Sequence, residues 1–204
     1  MKVKAINNIS KKIPVFILST LLLSGGLYWA GKIKTNPKSF ERVNVLVSSL
    51  NLNNKILEEK MMSSNKIDVK QINVSFAIYG SSSMGMVYNT VFEEMDCFIF
   101  PKTFLDENIA SNYLEYAKIN TEVITNYISD PIFYEYEGNK YGIKVYDSSN
   151  KKGWCDSIIK YSDDSFNDDY YMFFNKKSVN LGDMTGSAYD NALDFMKAMK
   201  EYEK

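Results

Sequence analysis

The chain has 204 residues, 45% of them hydrophobic, with 24 basic residues, 25 acidic ones and no histidine. The missing imidazole excludes Ser-His-Asp and Cys-His catalysis, HExxH zinc sites and histidine-based proton transfer. Beyond residue 31 there are 20 basic residues against 25 acidic ones, a net of −5, which makes that part a poor binder of nucleic acid.

The first element is set apart by hydropathy. Lys2, Lys4, Lys11 and Lys12 mark a basic tail over residues 1–12, and residues 13–31 (IPVFILSTLLLSGGLYWAG) form the long uncharged apolar run of the chain. About twenty apolar residues cross a bilayer core as a helix, so this run predicts a transmembrane signal-anchor. Tyr28 and Trp29 at its far end suit the membrane–water interface. A cleaved signal peptide fits less well, because Tyr28 stands two before Ala30, where cleavage requires a small side chain. No cysteine follows Leu23-Ser24-Gly25, as a lipoprotein would need. The basic tail points to a single-pass protein of the cell membrane with its C-terminal domain outside, a bias softened by Lys32, Lys34 and Lys38. Residues 32–39, with Pro37, read as a stalk, and residues 40–204 as one extracytoplasmic domain long enough for a sizeable core.

Within that domain Arg42–Leu50 alternates Val43, Val45 and Val47 and predicts a buried strand. Asn51–Met62 carries Leu52, Ile56, Leu57 and Met61 at helical spacing. Val69–Tyr79 predicts a second strand, Met84–Glu94 a helix, and Cys97–Phe100 a third strand closed by Pro101. Strands alternating with helices point to parallel βαβ units and an α/β fold. Helices are expected over Lys102–Leu114 and Tyr116–Ile128, ended by Asp130-Pro131. Ile132–Tyr136 and Tyr141–Tyr146 flank Glu137-Gly138-Asn139, a hairpin turn. Trp154–Tyr161 fits strand or helix, Tyr170–Phe174 is a further strand, and Asp190–Tyr202 is an amphipathic helix with Ala192, Leu193, Phe195, Met196 and Met199 inward. Cys97 and Cys155 are too few to define a disulfide framework, and both read as free thiols.

Three segments carry a resemblance. Asp96-Cys97-Phe98-Ile99-Phe100-Pro101 resembles the strand that ends the first βαβαβ half of type 2 extracellular solute-binding proteins of ABC transporters. Glu135–Asp147 (EYEGNKYGIKVYD) is similar to that family's Gly-Lys-x-Tyr-Gly-Ile-Pro strand near the interlobe crossover, with Asn139 inserted and Lys144 in place of the proline. Met172–Leu193 suits the closing strand and helix that return to the first lobe. The resemblance implies a parallel-sheet lobe of solute-binding type, with a permease as partner. Only residues 131–180 remain for a second lobe, which is therefore expected to be reduced.

Ligands in open α/β sheets settle outside the carboxyl ends of strands. Gly80 with Ser81, Ser82 and Ser83 falls between a strand and a helix, where helix N–H groups favour an anion, and Ser48 and Ser49 end the first strand. The same serines are also good helix caps with no ligand at all. Tyr79, Lys102 and Tyr146 at strand ends complete the candidate ligand contacts, although most of the 15 tyrosines must simply pack. Asp163, Asp164, Asp168 and Asp169 lack the EF-hand pattern and read as a solvated loop; Trp154, beside Gly153, reads as a core anchor ahead of a binding aromatic. No cofactor, metal or catalytic residue is indicated. A hydrolase without histidine would need a carboxylate pair or a Ser-Lys dyad, and no spacing singles one out. The expected function is binding of a small ligand beside an ABC transporter. The alternative is an accessory or scaffold subunit that binds no ligand.

Overall fold

Three valines at every second position make β1 (Arg42–Ser48) a buried strand in the computed structural model, which describes residues 37–48, 54–77, 94–106, 114–117, 119–154 and 168–202. β2 (Gln71–Ala77) and β3 (Cys97–Pro101) flank it in parallel, with Val45 opposite both Val74 and Cys97. Between β1 and β2 in the chain, α1 (Asn54–Ser63) packs Leu57 and Met61 into the same core as the valines. α2 (Lys102–Asp106) follows β3 directly, and α3 (Thr121–Tyr127) precedes a hairpin of β4 (Phe133–Tyr136) and β5 (Asn139–Asp147). The short β6 (Lys152–Gly153), then β7 (Tyr170–Phe174) and α4 (Asn191–Glu201), complete the described elements.

The sheet runs β2-β1-β3-β7-β5-β4, with β6 beside β5. β7 is antiparallel to both β3 and β5, so β5 points the same way as β1, β2 and β3. The fold is thus α/β with a mixed sheet, and the expected parallel arrangement holds for β2, β1 and β3. The described residues expected for a reduced second lobe join the main sheet. Residues 133–174 supply β4 to β7 of the same sheet, and residues 39–204 form one compact unit. The reason lies in β7: all five of its residues are buried, so it is covered on both faces and inserts between β3 and β5.

One sheet face meets α1, α3 and α4. α4 buries Ala192, Leu193, Phe195, Met196, Ala198 and Met199, the inward face that its spacing predicts, and each fully buried large side chain contributes about 1.5–3 kcal/mol. The other face is aromatic, with Phe98, Phe100, Phe104, Tyr134, Tyr171 and Phe173 in one cluster. α3 is shorter than expected because Asn120 caps it, its side chain accepting from the N–H groups of Glu122 and Val123. Residue 117 instead bridges to Asn175. The β4–β5 turn has positive φ at Glu137 (48°) and Gly138 (76°), as a type I′ hairpin demands.

The strand starts are tied by one carboxylate. Asp96 is 6% exposed and accepts from the N–H of Asn44, the hydroxyl of Ser178 and the amide of Asn180. Asn180 also donates to the carbonyls of Ser39 and Arg42, and Asn191 joins it to the carbonyl of Phe40. At the β2 edge, Glu58 of α1 accepts the N–H of Val74 at 2.8 Å. Cys97 is buried and free; Cys155 lies outside the described residues.

The expected tail and membrane helix, and the stalk before Pro37, lie outside the described residues, as do residues 84–93 of the helix expected over Met84–Glu94 and residues 155–167 after Trp154. Among the described residues no helix is long and apolar enough to cross a membrane.

Candidate functional site

The directions of β1, β3 and β5 bring Ser48, Lys102 and Tyr146 to one edge of the sheet, the edge on which the strands end. Register makes them level there: Pro101 and Tyr146 both lie opposite Tyr170. Their surroundings differ sharply. Ser48 is fully buried and its Oγ has no hydrogen-bond partner, so it faces no open crevice. Lys102 is exposed at the start of α2, where its backbone N–H donates to the carbonyl of Asp169 at 2.7 Å. Tyr146 stands in the wall of a cavity. Ser49, Tyr79, Ser81, Ser82 and Ser83 lie outside the described residues.

The cavity measures about 250 Å³, is open to solvent, and is lined by the end of β5, the β6 turn, the residues entering β4 and Lys200 of α4. Tyr146 is 4% exposed and sets its ring edge-on to Tyr170, with centroids 6.1 Å apart. Trp154, expected as a core anchor, is buried in the main core and also lines the cavity. Its backbone N–H donates to the carbonyl of Val145 at 2.7 Å. Only glycine allows that approach: a Cβ on Gly153 would come within 2.4 Å of the Val145 carbonyl oxygen and 2.5 Å of the Tyr146 Cα. Ile128, Pro131 and Ile132 add apolar surface, and Lys144, Asp147, Lys152, Lys200 and Asp130 add charge.

Lys144 organises the charged side. Its Nζ lies 2.6 Å from Asp169 and 3.3 Å from Asp147, above the ring of Tyr171. Burial works most strongly against its charge, but the hydrogen bonds that it donates to Asp169 and Asp147, with the neighbouring negative charge, together outweigh burial and raise the pKa, so the ammonium stays protonated and is no base at neutral pH. Asp169 also accepts the N–H and hydroxyl of Ser148. Burial pushes its carboxyl up, yet Lys144 and Ser148 bring it below the ordinary value. Asp147 falls to about 2, chiefly through the hydroxyl of Ser149, against burial and with help from Lys144.

Sequence reasoning missed Lys144 and Asp169 as a pair. A charged residue between Ile143 and Val145 in an otherwise apolar strand was the available signal. Asp168 caps α2, its Oδ2 accepting the N–H and hydroxyl of Thr103. Asp163 and Asp164 lie outside the described residues. Among the described residues no group of three His, Cys, Asp or Glu side chains is placed to hold a metal ion.

A second concavity, about 430 Å³, lies at the strand starts between Phe40, Lys70 and Asp194. Its Phe40 and Tyr189 rings stack 4.6 Å apart, and Tyr127 donates to Asp190 at 2.8 Å. Burial, then the charge of Asp190, raises the carboxyl of Asp194.

No protein-family model matches the chain, and no curated protein or solved structure matches it either.

Proposed function

We propose that residues 40–204 are a solute-binding-like domain that takes a small ligand at the strand-end edge of its sheet. In this reading residues 13–31 hold it outside the cell membrane, beside an ABC transporter permease. The observation that carries the reading is the cavity beside Tyr146, because ligands in open α/β sheets collect outside the carboxyl ends of strands and β5 ends there. β7 and α4 add support: they fall where the resemblance expects a closing strand and helix, and they contact β3 and β1. Thermal unfolding of the full chain against sugars, amino acids, peptides and anions tests the proposal. One class should raise the midpoint of the native chain and leave the Tyr146→Ala variant unmoved; no response to any class counts against it.

The second reading, an accessory subunit without a ligand, is favoured by a different observation. The residues expected to form a second lobe are spent on the single sheet, so no opposing lobe encloses a solute among the described residues. Capture of a permease equally by the native chain and by Tyr146→Ala, with no solute response, would favour this reading.

A further inference from the structure

The cavity beside Tyr146 has three chemically distinct parts. Its walls are apolar and aromatic, from Val145, Tyr146 and Trp154, and its lip carries Ile132, at 58% exposure the barest large hydrophobic side chain among the described residues. Lys152 and Lys200 bring positive charge to it, and Asp130 brings negative charge. The remaining charges are committed inward, Lys144 to Asp147 and Asp169, and Asp147 also to Ser149 and Asn150. The rim therefore offers both signs of charge above a greasy floor. At about 250 Å³ the space is smaller than the ~300–1,000 Å³ of drug-sized sites, which limits the occupant to a compact molecule.

Resting on the solute-binding reading above, we infer that the ligand class is a free α-amino acid with an apolar side chain. Its carboxylate meets Lys152 and Lys200, its ammonium meets Asp130, and its side chain lies against Trp154, Tyr146 and Ile132. Each part of the cavity then has a matching part of the solute. An anion alone would leave Asp130 unmatched, and an amine alone would leave two ammonium groups unmatched. Lys200 already donates to the carbonyl of Ser129 at 3.1 Å, so Lys152 is the better residue for testing the carboxylate contact.

Calorimetric titration of the full chain in mild detergent decides the matter, using L-leucine and L-phenylalanine beside two truncated probes. Isocaproate lacks the ammonium and isoamylamine lacks the carboxylate. Leucine or phenylalanine should bind at least about tenfold more tightly than either truncated probe. Lys152→Met should abolish the advantage over isoamylamine, and Asp130→Asn the advantage over isocaproate. Both residues are exposed, so neither variant should change the unfolding midpoint. Equal binding of leucine and its truncated probes, or preferences untouched by both variants, overturns the inference. If another solute then binds and Tyr146→Ala removes it, only the amino-acid class falls. If no solute of any class binds, the solute-binding reading falls with it.

Discussion

The two ends of the sheet are held by carboxylates in opposite electrostatic conditions. At the strand starts Asp96 is buried among neutral donors near Arg42, and burial, only partly offset by Ser178, Asn44, Asn180 and the charge of Arg42, raises its pKa. At the strand ends Asp169 and Asp147 surround the ammonium of Lys144, all three side chains being partly exposed, and both carboxyls are lowered. The first arrangement resists change because both carboxylate oxygens accept hydrogen bonds in a dry place. The second is softer, since water reaches all three groups and screens them. The cavity beside Tyr146 lies at this end, and the second concavity at the other.

The largest effect is expected at the dry end. Asp96→Asn turns one acceptor into a donor facing the N–H of Asn44 or the amide of Asn180, at a cost of about 2–3 kcal/mol near neutral pH. Chemical denaturation followed by tryptophan fluorescence measures it. A loss below about 0.5 kcal/mol would mean that the network carries little. Lys144→Met should cost less, about 1 kcal/mol, because surface-screened pairs are weak.

Acid separates the two ends by sign. Asp169 and Asp147 have folded pKa values below the unfolded one, so their stabilisation is present above the ordinary carboxyl range and lost as pH falls from about 5 towards 2. The deficit of Lys144→Met should therefore shrink in acid. Asp96 behaves the other way: its contribution is full below the unfolded value and is lost as pH rises through its raised value. The deficit of Asp96→Asn should therefore grow in acid. Parallel denaturation series at about pH 7 and about pH 3 check both trends; deficits moving in the same direction would break the contrast.

The smallest change is a gain. Removing the unpartnered hydroxyl in Ser48→Ala should leave stability unchanged or raise it by up to about 1 kcal/mol, by the same assay. A clear loss would show that the hydroxyl is bonded after all.

Local pattern revealed most strands because each is buried on at least one face. Val43, Val45 and Val47 marked β1, and the unbroken run Tyr170–Phe174 marked β7 to the residue. Pairing was not legible, since nothing within β7 says that it reverses direction between β3 and β5. The start of α3 was misread because apolar spacing from Ile119 onward outweighed the Asn120 cap in the reading. For the site, Tyr146 was visible as the end of a strand. Lys144 was treated as a departure from a motif, and Trp154 as core ahead of a binding aromatic, because the cavity arises from the turn at Gly153 folding back onto β5. That closure depends on contacts distant from any one window of sequence.

The grip of Glu58 on Val74 has a consequence for crowded conditions. A strand at the rim of a sheet is a template onto which another copy can add, and cells that make much of such a protein risk fibrous growth. By reaching over the rim from α1, this carboxylate fills a docking position for a foreign backbone and leaves negative charge beside it. One side chain thus helps to keep neighbouring molecules separate.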